Sequence, residues 1–300
     1  MLRRISQKIY RMFFHRAGKE EIVDLKMMLG RVLSNQLKSI QPKSLHDAEF
    51  KVFSQWGDDG IIQYLVNNIQ IDNKSFIEFG VETYEEANTR FLLLKDNWRG
   101  LIMDSSEENI QQVKSEDIYW KYELTAKTAF ITSENINTLI RDAGFSGEIG
   151  LLHIDTDGND YWIWKAINVV NPSIVIIEYN SVFGIDRAIT VPYEPYFHRT
   201  KAHFSGLFFG ASLLSLCDLA GTKGYSFVGC NSNGNNAYFV RKDKIGKIMA
   251  LRPQEGYVLS RFKESRDKKG NLTYLTGEKR LDLIRGLNVY NTRESKIEVL

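Results

Sequence analysis

The stretch from Glu148 to Asn180 constrains this chain more than any other. Leu151, Leu152, His153 and Ile154 make a short apolar run of strand length, and Asp155-Thr156-Asp157-Gly158-Asn159-Asp160 follows at once. Trp162, Trp164, Ala166 and Ile167 belong to a short helix that stops near Asn171-Pro172. Ile174 to Ile177 is a second, β-branched run, and it ends in Glu178-Tyr179-Asn180. Apolar runs without polar alternation suit strands buried on both faces, as in a parallel sheet. A strand–helix–strand unit crosses over right-handed, so both acidic ends fall on one edge of the sheet. In open α/β sheets that carboxyl edge is where ligands bind.

The rest of the chain repeats the pattern. Asn73 to Gly80, Gly100 to Met103 and a weaker run near Lys127 to Ile131 read as strands. Helical patterns follow them at Glu85 to Leu94, after Ser105 or Ser106, and from Ser133 to Gly144. After Asn180 the period is lost. Phe183 to His203 is aromatic, holds Pro192 and Pro195, and reads as a lid or binding loop. Ser205 to Leu219 reads as a helix. Tyr225 to Cys230 and Ala237 to Val240 are joined by the turn-rich Asn231 to Asn236 and read as an antiparallel hairpin. The expected fold is a doubly wound, mostly parallel α/β sheet closed by an antiparallel terminal hairpin.

Two extensions flank this unit, giving expected boundaries of 1–45, 46–250 and 251–300. In the first, Leu2, Ile5, Ile9, Met12 and Phe13 recur at helical spacing beside Arg3, Arg4, Lys8 and Arg11. That pattern fits a helix lying on an anionic membrane surface, or one packed on its own domain or on a second subunit. A second helix, Glu20 to Ser39, carries Ile22, Leu25, Met28, Leu29 and Val32 on one stripe. The third segment is mostly polar and basic, with one helix around Leu281, Ile284 and Leu287. A net charge of +2 argues against a dedicated nucleic-acid binder. Cys217 and Cys230 have no metal-ligand spacing and fit buried thiols in a reducing, cytoplasmic setting.

Polar groups end four of the strands: Glu78 and Gly80, Asp104, Asp155 and Asp157, then Glu178 and Asn180. Asp104 lies about 24 positions past Gly80, near the spacing at which an acidic residue accepts hydrogen bonds from ribose hydroxyls. The turn Gly80-Val81-Glu82-Thr83-Tyr84-Glu85-Glu86 has one glycine and three glutamates. A pyrophosphate needs G-x-G-x-x-G and would be repelled here, which argues against a nicotinamide enzyme. A cationic cofactor such as S-adenosylmethionine suits the turn. Asp155, Glu178 and Asn180 could hold Mg²⁺, or Asp155 could contact the cofactor without a metal. His153 reads as a core histidine, whereas His198 and His203, by the long loop, are candidate bases. Trp56, Trp162 and Trp164 could stack on a sugar or on adenine, or simply pack.

At these residues the chain resembles the FkbM-type methyltransferases, a branch of the S-adenosylmethionine-dependent class I fold. The matching pieces are Ser54-Gln55-Trp56-Gly57-Asp58-Asp59-Gly60, Phe76 to Gly80 with Asn88-Thr89, Ile154-Asp155 through Tyr161-Trp162, Ile177 to Asn180, and Asn236 to Val240. The resemblance spans roughly residues 50 to 242 and implies a seven-stranded, Rossmann-like sheet and methyl transfer to a hydroxyl oxygen. Carried over, Glu78, Gly80 and Asp104, with Asn88 and Ser105 beside them, would bind the cofactor, and Asp155 would sit at the reaction centre. The first turn departs from the family pattern, which usually has a second glycine. The expected function is an O-methyltransferase acting on a glycan, a glycan precursor or a related small molecule. Asp155 is its central carboxylate and His203 a candidate base. The rival is a non-catalytic binding protein on a degenerate methyltransferase fold.

Overall fold

The computed structural model describes residues 21–300; the helix expected over Leu2 to Phe13 lies outside them. Helix α1 covers residues 21–37 and is followed by α2 (Asp58–Asn68). The alternating part then runs β1 (Ser75–Phe79), α3 (Arg90–Asp96), β2 (Arg99–Asp104), α4 (Glu107–Ser115), α5 (Asp117–Lys121), β3 (Leu124–Thr128) and α6 (Ile136–Asp142). It continues with β4 (Gly147–Ile154), α7 (Asp160–Ala166), β5 (Val170–Glu178), β6 (Ile189–Thr190), α8 (Arg199–Ala202) and α9 (Leu213–Thr222). The chain ends with β7 (Tyr225–Cys230), β8 (Asn236–Arg241), α10 (Pro253–Gly256), α11 (Glu278–Ile284), β9 (Asn288–Asn291) and β10 (Lys296–Val299).

The main sheet has seven strands in the order β3-β2-β1-β4-β5-β8-β7. All neighbours are parallel except β8, which runs antiparallel to both β5 and β7. Both faces are buried, as the apolar runs require. Ile77, Phe79, Leu152, Ile154, Val175 and Ile177 point into one core layer, and Phe76, Leu151, Ile174 and Ile176 point into the other. This period of two within continuous apolar runs is the signature of a sheet covered on both sides. No described helix is long and apolar enough to cross a membrane.

Several elements differ from the sequence expectation, each for a local reason. The helix expected from Glu85 starts at Arg90, because Glu78 draws the Asn88 and Thr89 N–H groups onto its own carboxylate. The helix expected from Ser205 starts at Leu213, where the Ser212 hydroxyl caps it by accepting the Ser215 N–H. Pro172 lies inside β5, but β5 pairs with β8 only from Ile174 onward, so its missing N–H falls where no β8 residue is opposite.

The stripe of Ile22, Leu25, Met28, Leu29 and Val32 on α1 faces solvent, with exposures of 56–63%. The helix packs instead through Val23 and Met27, beside Val52, Phe53 and Phe91, and through Gly30. The long loop is not wholly irregular. It contains β6, which pairs with β9 in a second sheet of order β10-β9-β6. Phe183, Ile189 and Val191 there, with Phe208 just beyond, share a small core with Ile284 and Val289 from the C-terminal segment. The final hairpin went unread because Val289 and Ile297 sit in strands too short to show a period.

Candidate active site

The strand order reverses between β1 and β4, and a cavity of about 780 Å³ opens there at the carboxyl ends of the parallel strands. Gly80 makes the geometry feasible. Its φ is +70°, its N–H donates to the Met103 carbonyl, and a Cβ would sit 2.1 Å from the Asp155 carbonyl oxygen. Only glycine lets the ends of β1 and β4 approach so closely. Glu78, Gly80, Asn88, Asp104, Ser105, Asp155 and Glu178, all singled out from sequence, line this one cavity.

Glu78 is a completed network rather than an open ligand. Its Oε1 accepts from the Asn88 N–H (2.9 Å) and meets His153 Nδ1 (2.9 Å); its Oε2 accepts from the Thr89 N–H (3.0 Å) and the Thr89 hydroxyl. Asn88 Nδ2 also lies 3.1 Å from His153 Nε2. Burial opposes the charge on both partners, yet their mutual contact outweighs it: Glu78 is held below, and His153 above, its ordinary pKa. His153 is therefore more than a core histidine, since it also lines the cavity.

Asp104 ties the end of β2 to the turn after β1. Its Oδ2 accepts from the Glu82 N–H (2.8 Å) and its Oδ1 from the Ser106 N–H (2.8 Å). Ser106, rather than Ser105, caps α4 by accepting the Asn109 N–H (3.2 Å), which leaves Ser105 facing the cavity. The one-glycine turn reaches its shape regardless: Glu82 and Tyr84 take φ of +46° and +60°, a region that favours glycine. The exposed Glu82 carboxylate lines the cavity as a result.

The acidic loop after β4 is organised by Asp160 at the start of α7. Its carboxylate accepts from the Thr156 N–H (2.7 Å), the Thr156 hydroxyl (3.0 Å) and the Gly158 N–H (3.1 Å). Burial pushes it up to about 6 all the same. The loop then presents Asp157, at φ +56°, toward Asp155 and Glu178. One carboxylate oxygen from each of these three lies within 4.8 Å of the others. Asp155 and Glu178 accept no hydrogen bond from any described residue, and Glu178 Oε2 is fully buried without a partner. Burial, then Asp157, pushes Asp155 up to about 7; burial, then Asp155, holds Glu178 well above its ordinary value. Three converging carboxylate groups, one of them carrying an orphaned buried oxygen, fit a hard divalent cation. Arg199 relieves part of the repulsion through Asp157 (2.9 Å).

Two sequence candidates are displaced. Asn180 is not a ligand: its amide nitrogen donates to the Leu207 and Phe209 carbonyls, and its oxygen accepts the Val182 N–H. Asp157 takes its place in the cluster. His203 is not at the cavity; its Nδ1 pairs with the Ser205 hydroxyl (2.7 Å), whereas His198 lines the wall and packs against Phe130 with its ring tilted (centroids 5.7 Å apart). Asp157 and Glu82 stand in the stretches that the sequence marks, at a strand end and in the acidic turn, without being singled out as ligands; Arg199 is the site residue that sequence reasoning missed. The paired aspartates at 155 and 157 are a signal for the first and the acidic turn for the second; nothing in the sequence marks Arg199.

No protein-family model matches the chain, and no curated protein sequence matches it. Among solved structures, it is similar to an O-methyltransferase from Bacillus cereus in complex with SAH. That match covers 74% of this chain and 91% of the other, at 15% identity and a TM-score of 0.41. It is also similar to an S-adenosylmethionine-dependent methyltransferase from Clostridium acetobutylicum, covering 61% and 90% at 12% identity and a TM-score of 0.40. The N-terminal domain of EvdMO1 with SAH bound covers 70% and 94%, at 12% identity and a TM-score of 0.41. Likenesses this distant carry no weight for the site; its chemistry comes from this chain's own residues.

Proposed function

We propose that the chain is an S-adenosylmethionine-dependent O-methyltransferase acting on a hydroxyl of a glycan or glycan precursor. The observation that carries the reading is the charge of the switch-point cavity. Eight carboxyl groups line it, from Glu78, Glu82, Glu86, Asp104, Asp155, Asp157, Glu178 and Glu264, against Arg199 and the histidines His153 and His198, so that the lining stays acidic even where Asp155 and Glu178 keep protons. Such a lining repels pyrophosphate and favours a sulfonium cation. Asp104 and Ser105 would bind the ribose, Gly80 would let the cofactor approach the backbone, and Glu78 with Asn88 would hold the turn that receives it. Phe130 and Ile131, beyond β3, would cover the adenine.

In the transfer, the acceptor oxygen attacks the sulfonium methyl in line. The C–O bond forms as the C–S bond breaks, and the hydroxyl proton passes to a base. Asp155, pushed up to about 7, is poised to take that proton near neutral pH. Alternatively, Asp155, Asp157 and Glu178 would hold Mg²⁺, which when bound lowers the pKa of a hydroxyl beside it, and Asp155 would then serve as a ligand instead of the base. Membrane contact through the basic N-terminal stretch belongs to the same reading, because the exposed α1 stripe continues its apolar pattern. Calorimetry with S-adenosylmethionine tests the core of the proposal: the wild type should bind and Asp104→Ala should bind more weakly. No heat with the wild type would favour the non-catalytic rival. Failure to float with phosphatidylglycerol vesicles would remove the membrane contact.

A further inference from the structure

The main cavity opens sideways into a groove of about 550 Å³, with Gln55, Trp56 and Phe262 lining both. We infer that this groove is the acceptor subsite and that it takes a sugar ring bearing an anionic group, a carboxylate or a phosphate. The inference rests on the methyl-transfer reading for what the sugar is doing there, though not for its binding.

The groove offers a stacking surface that is already fixed. Trp56 remains 38% exposed, and its indole N–H is held by Gln55 Oε1 (2.9 Å). A rigid, wet aromatic face suits the C–H face of a pyranose and costs little side-chain freedom on binding. Phe262 is held by Arg280, whose guanidinium lies 5.4 Å from the ring centroid and donates to the Phe262 carbonyl (3.2 Å).

The groove's charges decide the rest. Lys51 is engaged by Glu86 (3.2 Å) and by the Gln55 carbonyl (2.8 Å). Glu49 is engaged by the Ser232 N–H and hydroxyl, each at 2.5 Å. Arg261 differs. Its backbone is pinned by an N–H bond to the Asn233 carbonyl (2.9 Å), but its guanidinium has no hydrogen bond or ion pair with any described residue. An unspent planar cation beside an aromatic platform matches an anionic sugar, because guanidinium binds carboxylate or phosphate two-pronged. The acidic lining of the inner cavity, Glu82, Glu86, Asp104 and Asp157 among it, disfavours that same anion. The acceptor is therefore oriented: its charged end stays at Arg261 and a neutral hydroxyl points inward to Asp155.

The test uses the full chain and three probes: methyl β-D-glucuronide, glucose 6-phosphate and methyl β-D-glucoside. Binding is read by saturation-transfer NMR without cofactor, and cofactor binding is read separately by calorimetry. The charged probes should bind about tenfold more tightly than the neutral one, and which charged probe leads tells carboxylate from phosphate. Arg261→Gln, at an exposed position, should erase that difference and leave S-adenosylmethionine affinity unchanged. Trp56→Ala should weaken all three probes. Equal binding of the three sugars, no binding of either charged probe, or an unaltered preference in Arg261→Gln would overturn the inference. Charged-sugar preference without any S-adenosylmethionine heat would sink the methyl-transfer reading and leave the subsite standing.

Discussion

Glu78 and Glu178 stand at the carboxyl ends of β1 and β5, on either side of β4, and both are buried. Glu78 is met by two backbone N–H groups, a hydroxyl and a histidine; Glu178 accepts nothing from any described residue. The same residue type at the same sheet edge thus serves two ends. A satisfied carboxylate builds the frame, lowers its own pKa and stabilises the fold. An orphaned one raises its pKa and costs stability, a cost that a bound cation would offset.

Four substitutions would break or sharpen that contrast. Glu78→Ala should destabilise most, by about 3–5 kcal/mol, because it leaves the buried His153 Nδ1, the Thr89 hydroxyl and two buried N–H groups without their partner; denaturant midpoints measure it. If it costs under about 1 kcal/mol, the network is not the frame it looks to be. Asp155→Asn should lower kcat by about 10²–10³-fold while leaving the midpoint equal or higher, since it removes a like charge from the cluster. A loss of stability as large as that of Glu78→Ala would erase the contrast.

The third concerns pH. Asp155 has a folded pKa raised from 3.8 to about 7, and Glu178 is raised as well. The folded state therefore keeps these protons to higher pH than the unfolded chain does. The stability they contribute is complete below 3.8 and is lost as pH rises through about 7. Glu178→Gln should flatten that decline and gain about 1 kcal/mol above pH 7. Millimolar Mg²⁺ should raise the wild-type midpoint there and leave the variant's unmoved; indifference of both would remove the metal. The smallest effect is expected at Glu82, whose φ of +46° costs stability. Glu82→Gly should gain about 0.5–1 kcal/mol in the midpoint and weaken cofactor binding seen by calorimetry.

Much of the site was legible because strand ends are legible. Apolar runs such as Leu151 to Ile154 and Ile174 to Ile177 fix where strands stop, and a parallel sheet gathers those stops on one edge. Glu78, Gly80, Asp104, Asp155 and Glu178 could be grouped on that ground. Asn180 could not be ruled out, because a residue two positions past a strand end turns either inward or onto the next loop, and His203 could not because it follows a long stretch without a period. Asn180 is taken up by the Leu207 and Phe209 carbonyls, which are distant in sequence. Arg199 and Arg261 lie in stretches without any period, where chain direction depends on contacts a single sequence does not display.

The α1 stripe teaches the same limit. Ile22, Leu25, Met28, Leu29 and Val32 were rightly placed together, but a helix with apolar residues on more than one face does not say which face the domain will cover. Sequence alone determined the alternation of strands and helices, the sheet's buried faces and the acidity of its carboxyl edge. These follow from short-range periodicity and from the handedness of the crossover. Tertiary structure decided which carboxylates are satisfied, that Arg261 in the groove has no side-chain partner among the described residues, and that a second sheet ties the C-terminal hairpin to the long loop. Those outcomes depend on partners far along the chain, and a buried charge takes its meaning from whatever stands beside it.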